Sequence, residues 1–89
     1  MEKISLLRKR IDEIDEQILH FLKERIDICE NIGTIKREHG LPVKDPEREN
    51  EQYMRIRELA SKLELDPQEV RDVYREIIAM SIRAQEREG

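Results

Sequence analysis

The 89-residue chain lacks most of the marks by which a sequence announces chemistry. It has one cysteine, Cys29, which excludes an intrachain disulfide and a cysteine zinc site and makes a reducing cytosol the expected location. Its two histidines, His20 and His39, have no metal-ligand spacing. Aromatic side chains are down to Phe21, Tyr53 and Tyr74. No Gly-rich phosphate loop and no nucleophile–base motif are present. Long hydrophobic runs are missing too. The longest, Ile77-Ile78-Ala79-Met80, is far short of the roughly 20 residues that span a bilayer, so no membrane role is expected. Met1 to Ser5 carries no apolar stretch of signal-peptide length. With 17 basic against 21 acidic residues the net charge is −4, which argues against nucleic acid as the main partner.

What the chain has in quantity is charge: 43% of its residues are charged and 37% hydrophobic. Both signs are interspersed, and only a strong net charge counts heavily against folding. The length fits one domain covering residues 1–89. A lone chain of this size buries only a modest core, and this one has few apolar residues to bury.

Those few are concentrated in stripes. Ile4, Ile11, Ile18, Arg25 and Ile32 form one heptad series; Leu7, Ile14, Phe21, Ile28 and Ile35 form the other. Nine of these ten positions are apolar, which predicts one helix from about residue 3 to 38, ending at Gly40 before Pro42. Leu22, Ile26 and Cys29 widen the stripe. A second helix starts at Asp45-Pro46 and a third at Asp66-Pro67, each with Asp as N-cap and Pro at the first helical position. Asp66 and Glu69 have capping-box spacing. No segment alternates with period two, so an all-α fold of three helices is expected.

The first helix is long for its chain, about 54 Å at 1.5 Å per residue against a globule roughly 30 Å across. Its stripe runs the full length, so much of it needs a cover, and a second copy of the same helix in an intertwined homodimer is the simplest one. The alternative is a break or fold-back at Gly33.

Polar residues stand where core is expected. Arg25 occupies an apolar heptad position and needs an anion, either an internal salt-bridge partner or a bound ligand; a register-setting role is the other reading. Lys36 lies eleven residues on, 20° off the same face and about 16 Å away, so both side chains can lean toward one small anion. Arg8 is about 25 Å of helix from Arg25 and some 100° off its face. Within one chain it cannot reach that anion; from an antiparallel partner helix it could, and taken alone it reads as an ordinary exposed arginine. Arg48 and Glu49 sit in the first turn of the second helix, where free N–H groups favour an acceptor; a plain N-cap at Asp45 reads the same way. Ser81 and Gln85 extend the core-facing stripe of the third helix with hydrogen-bonding groups, as a fraying end also does.

Taken in order, Leu7-Arg8-Lys9-Arg10-Ile11-Asp12-Glu13-Ile14-Asp15, Glu24-Arg25, Lys36, Pro42-Val43-Lys44-Asp45-Pro46-Glu47-Arg48-Glu49, and Ser81 with Gln85 resemble the all-helical class of chorismate mutases over nearly the whole chain, without insertion or deletion. The resemblance implies an intertwined homodimer of three-helix chains with two equivalent sites. It implies the Claisen rearrangement of chorismate to prephenate, on the route to phenylalanine and tyrosine, with neither cofactor nor metal. It assigns Arg8, from the opposite protomer, together with Arg25 and Arg48, to the carboxylates of the dianionic substrate. Lys36 and Gln85 fall beside the ether oxygen. Glu49 and the backbone near Asp45 take the ring hydroxyl, Ser81 helps fix a carboxylate, and Ile32 and Ile78 form apolar walls. Isochorismate-pyruvate lyases share the fold but typically lack the carboxylate that Glu49 supplies. A non-catalytic dimerisation module explains the stripe but not Arg25, Lys36, Ser81 and Gln85 together. Association with another aromatic-pathway enzyme is a further expectation.

Overall fold

A computed structural model describes residues 1–87. Three helices follow one another: α1 (Glu2–Glu38), α2 (Pro46–Lys62) and α3 (Pro67–Glu86), and no strand occurs among the described residues. The punctuation is the one the sequence announces. The Asp45 carboxylate accepts from the Arg48 N–H at 3.1 Å, and the Asp66 carboxylate accepts from the N–H groups of Gln68 and Glu69. Pro46 and Pro67 open their helices, where a missing N–H costs nothing. At the end of α1, Gly40 takes φ 66° while Leu41 N–H bonds back to the Lys36 carbonyl, a Schellman closure that favours glycine. α2 ends the same way with Leu65 N–H on the Ala60 carbonyl, but the left-handed residue there is Glu64, at φ 60°.

The helices run up, down, up. α3 lies between the other two and packs on both. It runs parallel to α1, because Arg25 meets Ser81 and Gly33 meets Gln85. α1 continues unbroken through Gly33, as the single helix expected over residues 3–38 requires, and the alternative of a break there does not occur. The glycine has a packing reason instead: a Cβ there would lie 2.6 Å from the Gln85 Cα.

Arg25 apart, the face of α1 that meets α3 is not the heptad stripe. It is the flanking set of Leu22, Arg25, Ile26, Cys29, Gly33 and Lys36, with Cys29 and Gly33 buried. The apolar members of the stripe face solvent along its full length, including Ile28, Ile32 and Ile35 beside α3, and only Arg25 of that series turns to α3. The sequence makes the two sets look like one wide face; the structure divides them. The buried apolar set comes down to Cys29, Ile56, Ala60, Ile78 and Ala84. The molecule measures 57 × 28 × 15 Å, and its long axis is α1. A layer 15 Å thick cannot surround large side chains, and none is fully buried among the described residues. No helix among the described residues is long and apolar enough to cross a membrane.

Candidate functional site

The polar residues of α1 and α3 meet in the plane between the two helices. Arg25 and Lys36 stand about 16 Å apart along α1, yet their partners on α3, Ser81 and Gln85, are one turn and about 6 Å apart. Arg25 Nη1 donates to Ser81 Oγ, and Lys36 Nζ donates to Gln85 Oε1 at 2.8 Å. The two cations therefore converge. Lys36 Nζ also donates to the Val43 carbonyl at 3.0 Å, and Arg25 Nη2 to Gln52 Oε1 at 2.9 Å.

Every one of these acceptors is neutral. The ion pairs of the described residues lie elsewhere, at exposed positions of α1, α2 and α3 and between Arg87 and Glu30. The internal salt bridge weighed for Arg25 is thus not what the fold builds. Arg25 and Lys36 are half-buried and carry no counter-charge, an arrangement that favours an incoming anion.

Guanidinium and ammonium groups only donate. Each amide must therefore turn its oxygen to the cation, which turns its NH2 group away. Gln85 Nε2 is left with two N–H donors that find no acceptor among the described residues, and Gln52 Nε2 likewise. Ser81, 4% exposed, accepts from Arg25 and donates to the Ile77 carbonyl at 2.8 Å, so its hydroxyl is fixed from both sides. Gln85 is held from behind as well, since Arg37 Nη1 donates to its backbone carbonyl at 2.8 Å.

The remaining expected residues are placed less tightly. Ile78 is buried below Ser81, whereas Ile32 is exposed. Asp45 spends its carboxylate on the α2 cap. Glu49 is half-buried one turn before Gln52, and the Arg48 guanidinium is exposed and 3.5 Å from Glu51. Arg8 is exposed on the free half of α1, far from the cluster within one chain. A hollow of about 240 Å³ opens beside Arg25, lined also by Ile18, Phe21, Leu22, Tyr74 and Ile77. A second cavity, about 550 Å³ between α2 and the start of α3, holds none of the expected residues. No cluster of metal-binding side chains occurs among the described residues. The hydrogen bond to Asp27 holds the exposed Lys23 ammonium above its ordinary range.

Sequence reasoning missed Gln52, Arg37 and the Val43 carbonyl. Gln52 had a signal, because it follows Arg48 by four residues and Glu49 by three and so shares their face of α2. Arg37 and Val43 had none, since one acts on a backbone carbonyl and the other through its own.

Fold and cluster define a class: an all-helical chain that holds two uncompensated cations and two oriented amides between its first and later helices. The sequence model described as chorismate mutase type II matches residues 7–86. A chorismate mutase from Methanocaldococcus jannaschii is 42% identical over 66 residues, covering 74% of this chain and 67% of that one. A bifunctional chorismate mutase/prephenate dehydratase from Aquifex aeolicus is 44% identical over 82 residues, covering 89% of this chain but 23% of its own length. Among solved structures, a conserved hypothetical protein from Pyrococcus furiosus superposes with a TM-score of 0.75 at 34% identity, covering 96% of this chain and 97% of that one. The chain belongs to the chorismate mutase type II family.

Proposed function

We propose that the chain converts chorismate to prephenate by a Claisen rearrangement. It works as a cytoplasmic homodimer with two shared sites, on the route to phenylalanine and tyrosine. The observation that carries the reading is the Lys36–Gln85 pair, an ammonium and an outward-turned amide donor side by side and half-buried. In this rearrangement one C–O bond breaks as one C–C bond forms, and negative charge builds on the ether oxygen. Two donors placed there favour the polarised transition state over the ground state.

The other roles follow from charge. Arg25 and Arg48 hold the two carboxylates, with Ser81 beside Arg25, and Arg8 of the partner subunit closes over the substrate. Glu49 and the backbone at Asp45 take the ring hydroxyl, while Ile32 and Ile78 wall the ring. Binding the compact conformer removes much of the entropic barrier, so positioning and charge suffice without metal or cofactor. The exposed heptad stripe and the 15 Å layer support the dimer, since both leave apolar surface that a second copy covers. The name of the Aquifex relative joins two activities of one route, which supports association with another enzyme of that route.

Purified chain incubated with chorismate and a metal chelator is expected to produce prephenate. Lys36→Ala should lower kcat by about 10²–10³-fold, the usual cost of losing one preorganised donor. A folded dimer that leaves chorismate intact refutes the reading.

A further inference from the structure

We infer that Gln52 is a positioning residue for Arg25, and that its neutrality keeps the full charge of that guanidinium available to a substrate carboxylate. The inference rests on the chorismate reading for its kinetics, but on the fold alone for its geometry. α1 and α2 do not pack on each other; α3 separates them. Two polar side chains of α1 nevertheless reach across, Lys36 to the Val43 carbonyl before α2 and Arg25 to Gln52 within it. Gln52 Oε1 accepts from Arg25 Nη2 at 2.9 Å while Ser81 Oγ accepts from Nη1. The planar guanidinium is gripped at both ends, which fixes its plane as well as its position. One grip comes from α3 and the other from α2, so Arg25 is aimed by two elements other than its own.

The choice of an amide matters physically. Glutamate has the same shape and also accepts from Arg25, and by geometry alone it is the stronger partner. It would also neutralise Arg25 and compete with an anionic ligand for the same donors. Glutamine gives the grip without the charge. Its remaining N–H groups point away from Arg25, where they add donors instead of repulsion. Gln52 thus stands to Arg25 as Gln85 stands to Lys36: in both pairs an uncharged acceptor holds a cation that has no counter-ion among the described residues.

The test compares Gln52→Glu with Gln52→Ala by steady-state kinetics on chorismate, and by NMR of the Arg25 guanidinium N–H groups without substrate. Glu should raise KM by about tenfold or more, the scale of one competing charge-assisted hydrogen bond, with kcat changed far less. Ala should raise KM less than Glu does, and should broaden the guanidinium signals that the wild type and Gln52→Glu keep resolved. A merely structural glutamine gives the reverse order, because Glu preserves its shape and Ala leaves a gap. That order, or guanidinium signals indifferent to Gln52→Ala, overturns the inference. If the wild type leaves chorismate unchanged, the reaction reading fails separately, and the substrate-free NMR still decides whether Gln52 holds Arg25.

Discussion

Two residues carry consequences that their neighbours do not. In the proposed reaction Gln85 is an amide that would lend a proton donor without titrating. Wild-type activity should therefore show no loss from this side chain around neutrality. Gln85→Glu replaces it with a group that donates only when protonated, and whose ordinary pKa is about 4.3. As a carboxylate it also repels the charge growing on the ether oxygen. Activity of Gln85→Glu should fall as pH rises above the acid range, and a profile that matches the wild type contradicts the role given to Gln85. Gly33 acts by being absent. The Gln85 backbone occupies the space a methyl group needs, so Gly33→Ala must push α3 away from α1. The expected cost is about 1–3 kcal/mol of stability, together with slower turnover because Gln85 moves. Denaturant melts and kinetics on the same variant check both. From the sequence Gly33 reads as a weak point in a helix. Its use depends on a backbone 52 residues further on, and no local pattern can report that.

At the scale of elements, local chemistry was nearly sufficient. The two Asp-Pro starts, the Gly40 stop and the α1 stripe are short-range signals, and the helices obey them. The exception is the end of α2, where Glu64 takes a left-handed conformation with no glycine to ease it. Such a conformation costs a side chain of this kind about 1–2 kcal/mol, of which glycine's extra backbone entropy gives back part. Glu64→Gly should stabilise the chain by up to about 1 kcal/mol, read as a raised denaturation midpoint with an unchanged slope. A lowered midpoint would mean that the turn relaxes in solution. Periodicity fails in dividing one face into two. Arg25, Cys29, Gly33 and Lys36 adjoin Ile28, Ile32 and Ile35 around α1 within a turn, so hydropathy merges them. Only the position of α3 shows which set it covers. The charged half of the site was legible because Arg25 breaks an otherwise apolar series. The neutral half was not: glutamines and carbonyls disturb no pattern, and Gln52 becomes visible only when α2 folds beside Arg25.

At the scale of the molecule, the arithmetic of a small, charge-heavy chain makes sense if the core is counted over two copies. One copy is a thin layer with its longest apolar row uncovered. Its cations at Arg25 and Lys36 converge, while Arg8 stays out of reach on the projecting half of α1. In the proposed dimer, a second copy laid antiparallel along α1 would cover the row and bring its Arg8 to the first copy's cluster. This arrangement is tested by mixing two inactive variants, Arg8→Ala and Arg25→Ala, after unfolding and refolding them together. Each mixed dimer then has one site with both arginines intact and one with neither. Half of the dimers are mixed at equal input, so chorismate turnover should return to about a quarter of the wild-type level. Mixed dimers that form, as shown by tagged co-purification, and yet stay as inactive as either parent contradict a site shared between subunits.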